Sequence, residues 1–308
     1  MSHDPRWSDD ARHLSGDLRD LGRGGRGGPD GRGRERVDPR DVFVENVALP
    51  RGREREHVNH RGRHYTLRRS ESRTLSSVGA FRVVPAHDLR DTFDRPLDPR
   101  QGELWHIREA GLVRTVRVDQ NTVVVALTKE GRSLLEAHRR HAEAPARDRQ
   151  AFHDGIQRPR ELKHDSALYR VYIAEAERLH QAGAEIQRVV LENDLKAEYQ
   201  QFLQERNRGR GDADGRPDRD ADEIRRWAAE RHLPCDEQGH VMFPDARIEY
   251  TQDGRDQTLD VEIMTPHYRG AHAASKGRAG FSLSWSGRSG GRGGSARIRR
   301  GLADELAR

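Results

Sequence analysis

The sequence predicts an α+β chain with two folded regions between Gly/Arg-rich ends. Three observations carry this reading. Residues 65–140 show helical apolar spacing followed by two β-branched runs, residues 164–285 alternate helices with strands, and both termini are Gly, Arg and acid with no apolar core. A length of 308 residues fits two domains. Only 33% of residues are hydrophobic, 35% are charged and the mean hydropathy is −1.02. Apolar area this sparse cannot offset the ordering of every residue, so folded units joined by disordered segments are expected.

Residues 1–60 are expected to be a mostly disordered tail. "LGRGGRGGPDGRGRER" (Leu21–Arg36) has nothing to pack, and such runs are either solvated or loose nucleic-acid contacts. "GRGGRGG" has no preceding strand and no Lys-Ser/Thr, so it is not a phosphate loop. "DVFVENVAL" (Asp41–Leu49) is a short apolar patch, a strand or a docking segment. His57, His60 and His64 could bind a metal on a helix, but Gly62 and the lack of apolar support argue for a flexible loop.

In residues 65–140, Ser70 or Ser72 caps a helix whose Leu75, Val78 and Phe81 recur at helical spacing. Pro85 opens a second short helix, "PAHDLRDTF", with proline in the first turn. Asp98 and Pro99 start a third, with Leu104, Ile107 and Trp105 facing inward and Gly111 ending it. "LVRTVRV" and "TVVVALT" flank an Asp/Asn turn and read as a hairpin. "KEGRSLLEAHRR" closes the region as an amphipathic helix. Three helices, a hairpin and a further helix make a winged helix-turn-helix, and "GLVRTVRV…VVVALTKEGRSLLEAH" resembles the signature of that superfamily.

Residues 141–163 read as a charged linker. A helix follows from His164 through "HDSALYRVYIAEAERLHQAG", then a strand "EIQRVVLEN" and a helix "DLKAEYQQFLQERN" capped by Asn193 or Asp194. Residues 208–222 form a flexible insertion before the helix "ADEIRRWAAERHL". The hairpin "FPDARIEYTQDGRDQTLDVEIM", a helix around Tyr268–Arg278 and a strand "FSLSW" complete a small α/β domain over 164–285, and 286–308 repeats the Gly/Arg character.

The net charge is +5 and the pI about 9.6, with arginine far outnumbering lysine. Arginine's planar fork suits phosphate, although a high-GC genome enriches arginine as well. With one cysteine, Cys235, no intrachain disulfide or cysteine-based zinc site can form. No apolar run approaches the ~20 residues of a membrane span, and the N-terminus lacks a signal-peptide core. A cytoplasmic protein with no membrane partner is expected.

In a winged helix the third helix enters the major groove and the wing reaches an adjacent groove or the backbone. The solvent-facing candidates there are Arg100, Gln101, His106 and Arg108, with Arg114 and Arg117 on the first wing strand and Arg68, Arg69 and Arg73 at the start of the first helix. Arginine contacts phosphate and guanine, and glutamine pairs with adenine. Such modules also serve as protein-protein platforms, with the arginines solvated.

Taken together, a winged helix, a linker, His164-Asp165, Pro244-Asp245, Glu262, Lys276 and Phe281 in that order resemble the replication-relaxation family of bacterial plasmids and mobile elements. The resemblance spans roughly residues 65–285, and the family usually has tyrosine where Phe281 stands. It implies a diverged restriction-endonuclease-like, PD-(D/E)xK, second domain and a role in plasmid replication, relaxation or transfer. Double-stranded DNA is then the expected partner, with a relaxase or other transfer protein as a further one; a homodimer is a candidate assembly.

Metal-assisted phosphodiester hydrolysis needs a divalent ion on hard oxygen ligands. Asp245 and Glu262 are the candidate catalytic and metal-ligating carboxylates for Mg or Mn. Asp260 points to the same sheet face as Glu262 and is a possible third ligand; Glu192 and His267 are further candidates. The nuclease pattern wants lysine at Met264, and Lys276 is the candidate replacement from the following helix. The expectation is a nuclease-like fold that holds DNA or a partner without cutting. The alternatives are a winged-helix transcription regulator and a metal-dependent DNA nuclease.

Overall fold

In the computed structural model, the described residues are 38–156, 162–211, 218–264 and 276–285. Both Gly/Arg-rich ends fall outside them, as do 212–217 of the expected insertion, most of the helix expected around Tyr268–Arg278, and His267. All described residues belong to one unit, Val37–Arg308.

The chain enters through two short 3-10 turns, Pro39–Asp41 and Val44–Asn46, that bury Phe43, Val44, Val47 and Leu49. The hairpin β1 (Glu56–His60) and β2 (Arg63–Leu67) follows, turning at Arg61 and Gly62, both with positive φ. The expected flexible tail is therefore ordered from residue 38 onward. Val58, Tyr65 and Leu67 supply the apolar support, and the Tyr65 hydroxyl donates to Glu130 Oε1 at 2.8 Å. Alternate residues His57 and His64 face solvent, so the three histidines do not gather.

Helix α1 (Arg69–Phe81) buries Leu75, Val78 and Phe81 as its spacing requires. Its cap is not Ser70 or Ser72. Arg68 takes the N-cap position, and Glu71 in the first turn accepts from the Arg68 backbone N–H at 3.1 Å. Strand β3 (Val84–Pro85) leads to a single 3-10 turn, Ala86–Asp88, where a longer helix was expected. The Asp91 carboxylate is the reason: it accepts from the N–H groups of Phe93 and Arg95 and folds the chain into a loop closed by the Arg90–Pro96 bridge.

Helix α2 (Gly102–Glu109) starts at Gly102, later than Pro99, because the Asp98 carboxylate turns the chain by accepting from Arg100 N. Strands β4 (Val113–Arg117) and β5 (Val123–Leu127) form the expected hairpin, and β5 also pairs with β3, giving the order β3-β5-β4. Helix α3 (Lys129–Ala137) is capped by the Thr128 hydroxyl. Gly131 follows from packing: a Cβ there would lie 2.0 Å from the Leu112 carbonyl oxygen, so only glycine lets α3 meet the start of β4.

The expected linker is exposed over most of 141–148 but packs at 149–156. Phe152 and Gln150 are buried, and the Gln150 amide both donates to Val189 O (3.0 Å) and accepts from Val189 N (2.9 Å). Helix α4 (Leu162–Gln181) then runs between the two regions. Its Tyr169 and Tyr172 stack on Phe81 of α1 at 5.3 and 5.0 Å, while Leu168, Val171, Ala176 and Leu179 share a core with Val189, Ile248, Val261 and Ile263. One apolar core thus spans both regions.

The second region is a four-stranded sheet in the order β6-β7-β8-β9. Its strands are β6 (Glu185–Leu191), β7 (Ala246–Gln252), β8 (Arg255–Met264) and β9 (Ser282–Trp285). The first three run antiparallel as a meander, and β9 lies parallel to β8. Between β6 and β7 come α5 (Glu192–Gln204) and α6 (Ala221–Glu230), which close a separate aromatic cluster of Tyr199, Phe202, Trp227 and Phe243. Asp220 caps α6. The first-turn acid of α5 is Asp194, not its cap, accepting from Leu191 N.

Candidate functional site

The antiparallel register fixes one end of the sheet. Ala246 pairs with Val261, so the preceding residue, Asp245, meets the chain beside Glu262. Asp245 Oδ2 accepts from the backbone N–H of Ile263 at 2.7 Å and from His164 Nε2 at 3.1 Å. Glu262, 3% exposed, accepts from Lys276 Nζ at 2.7 Å. Lys276 also donates to Phe243 O at 2.9 Å and lies 5.3 Å from the Phe281 ring centre. The sequence order Asp245, Glu262, Lys276 is thus folded into one sheet end, with His164 of α4 added to it.

Met264 explains why the lysine is not on the strand. Its side chain is buried with Phe281 and Leu283 in a small apolar cluster, with Met242 against it. A cation there would be desolvated without a partner. Lys276, on the turn before β9, brings the charge in instead.

The histidine is held as a cation. Burial opposes its charge, but hydrogen bonds to Asp165 and Asp245, and their negative charge, outweigh this and raise its pKa to about 10. Asp165 in turn meets Arg82, at the end of α1, at 3.2 Å. A polar chain, Asp245–His164–Asp165–Arg82, therefore joins the sheet end to the first region.

Other expected ligands go elsewhere. Both oxygens of Asp260 accept from Arg247, at 2.7 and 2.8 Å, and the buried Arg247 guanidinium also donates to the carbonyls of Arg231 and His232. Asp260 is therefore half of a bidentate ion pair and not a metal ligand. Glu192 begins α5 and pairs with Lys196 at 2.6 Å. Among the described residues no three His, Cys, Asp or Glu side chains converge on one point. Asp245 and Glu262 are the right donor type for Mg or Mn, but His164 and Lys276 already neutralise them. As placed, His164 and Lys276 would have to move aside before the two carboxylates could hold a divalent ion.

The expected DNA contacts divide sharply. Arg69 donates to Asp41 at 2.6 Å, and Arg73 lies 3.7 Å from both Asp38 and Asp41, so the entering segment pairs with both arginines and covers Arg73, while Arg69 stays exposed. Arg68 lies 3.7 Å from the buried Glu103. His106 turns inward to Glu71, at 2.9 Å. Arg108 is half-buried, donating to Pro99 O and Glu109. By strand alternation Arg114 leaves the hairpin on the face opposite α1, with its guanidinium beside Gly155. Arg100, Gln101, Arg114 and Arg117 remain exposed. Trp105, expected inward, is 44% exposed, because Leu104 and Ile107 already fill the inward side of α2.

No family model, no curated protein and no solved structure matches this chain.

Proposed function

We propose that the chain binds duplex DNA in the replication, relaxation or transfer of a plasmid or mobile element, and that its second region is a nuclease-like fold that does not cut. One observation carries the reading. In the order α4, β6, α5, α6, β7, β8, helical turn, β9, Asp245 stands before the second strand, Glu262 on the third and Lys276 on the turn before the fourth, 2.7 Å from Glu262. This order resembles the one in which PD-(D/E)xK folds carry their acidic and basic groups, with two helices inserted after the first strand and the lysine moved.

The first region supports the same reading. Helix α1, β3, α2 and the β4–β5 hairpin follow the winged-helix order, and β3 closes on β5 as that architecture needs. The second helix of the motif is reduced to the 86–88 turn and its Asp91-braced loop. In this reading α2 lies in the major groove and the 118–122 turn is the wing. Arg100 and Arg117 neutralise phosphates, and Gln101 reads a base edge. A relaxase or other transfer protein is the expected partner at the nuclease-like end.

Fluorescence anisotropy with a labelled duplex at moderate salt tests the reading. Binding that weakens as salt rises, and weakens further in Arg100→Ala and Arg117→Ala, is the expected result. Absence of duplex binding overturns it. The closeness of Asp245 and Glu262 favours one second reading, a metal-dependent nuclease. Nicking of supercoiled DNA with Mg or Mn, lost in Asp245→Ala and Glu262→Ala, would replace the non-cutting reading with that one.

A further inference from the structure

We infer that Trp105 is a base-reading residue of α2 that selects thymine by apolar contact with its C5 methyl group. The inference rests on the DNA-binding reading above. Among the described residues, two large apolar side chains stand in solvent, Trp105 at 44% and Phe93 at 73% exposure. Both belong to the stretch between α1 and β4. Phe93 is accounted for locally: the Arg95 guanidinium lies over its ring at 5.0 Å, and Asp91 braces the loop. Trp105 has no such explanation.

Helical spacing sets Trp105 and Arg108 along one outward stripe of α2, and Gln101 stands just before it at the N-cap, in extended backbone. In the major groove a thymine differs from a cytosine by a methyl group that apolar side chains contact, and glutamine pairs with adenine. A glutamine at the N-cap with an indole in the first turn is therefore suited to neighbouring A·T pairs. Without DNA the Gln101 amide donates to Asp98 at 3.0 Å, which holds it at the start of the stripe. Arg100 and Arg117 give the surroundings the charge that a duplex requires.

A protein partner is the rival occupant, and area decides against it. An indole buries about 150–250 Å², whereas a stable protein interface needs about 800 Å² on each side. The rest of the outward stripe is polar, so Trp105 is a contact point and not the centre of an apolar face.

The test uses the full chain. Duplexes are selected from a randomised pool by the wild type, and each thymine of the selected site is then replaced by deoxyuridine, which removes only the methyl group. The expected result is a loss of about tenfold in wild-type affinity at one or two thymines, with Trp105→Ala indifferent to the same replacements and Trp105→Phe still sensitive. Since the indole is half in solvent, unfolding midpoints of both variants should match the wild type, and Trp105→Phe serves should Trp105→Ala fold poorly. Wild-type indifference to every replacement overturns the inference while leaving DNA binding intact. So does a Trp105→Ala variant with unchanged DNA affinity and an altered sedimentation coefficient, which would assign the indole to a contact between copies. If the wild type selects no duplex at all, the DNA-binding reading fails and takes this inference with it.

Discussion

Glu71 and Glu262 are both buried carboxylates, one in each region, and they are held in different ways. Glu71 gathers Arg55 from the segment before β1, the Arg68 N–H, and His106 of α2. Its side-chain partners reach solvent, with Arg55 33% exposed. It locks the hairpin, α1 and α2 into one joint and leaves the outward face of α2 free. Glu262 meets Lys276, and both side chains are buried. The first arrangement is a many-armed joint that shares its charge with water. The second is an ion pair held away from water, with Lys276 also donating to Phe243 O.

The largest effect should come from breaking that buried pair. Lys276→Ala is expected to destabilise the fold by about 3–5 kcal/mol, measured by denaturant unfolding, with much of the loss recovered in the double variant Lys276→Met/Glu262→Gln. An unchanged midpoint in Lys276→Ala would erase the contrast with Glu71. Asp260→Ala strips the carboxylate from buried Arg247 and should cost a similar ~3–5 kcal/mol without added metal, as an ion pair requires and a metal ligand does not.

His164 gives a pH-dependent version of the same contrast. Its folded pKa of about 10 lies above its unfolded value, so its stabilising effect is complete below about pH 6.5 and is lost as pH rises through 10. The ring is partly exposed, so the effect is on the order of 2 kcal/mol. Wild type and His164→Gln should differ in unfolding free energy at pH 6 and converge near pH 10. A gap that does not narrow would mean that the histidine is neutral in the fold.

Gly131→Ala probes packing and not charge. Overlap with the Leu112 carbonyl should cost about 1–3 kcal/mol and loosen α3 from the β4–β5 hairpin. The smallest effect belongs to the many-armed joint. Arg55→Ala should cost about 1 kcal/mol, since Glu71 keeps its other donors and the lost side chain is half in water. A cost equal to that of Lys276→Ala would show that the two carboxylates are held alike after all.

Much of this architecture is legible in the sequence because it rests on local rules. Leu75, Val78 and Phe81 mark α1 by spacing, and the β-branched runs about the Asp/Asn turn mark the β4–β5 hairpin. The glycine of "LTKEG" also stands out in the sequence, although its reason, the Leu112 carbonyl, appears only in three dimensions. The hairpin β1–β2 escapes notice because only Val58, Tyr65 and Leu67 pack while His57 and His64 face water. The 86–93 segment has helix-start chemistry that Asp91 overrides from within the loop. Charge pairing is the least legible level. Nothing in the sequence assigns Asp41 to Arg69 or Arg247 to Asp260, so exposed and consumed arginines look alike until the chain is folded. The order Asp245, Glu262, Lys276 was visible. His164 was too, through His164-Asp165, but not its place beside Asp245.

The paired hydrogen bonds of Gln150 carry a last consequence. Strand β6 is an outer strand of its sheet, and Gln150 binds the N–H and C=O of Val189 as a neighbouring strand would. One side chain thus blunts an edge on which another polypeptide could otherwise add by strand pairing. A fragment beginning at Leu162 would lack this plug. It would tend to self-associate and precipitate, however well its own sheet folds, so the stretch joining the regions is also a solubility device.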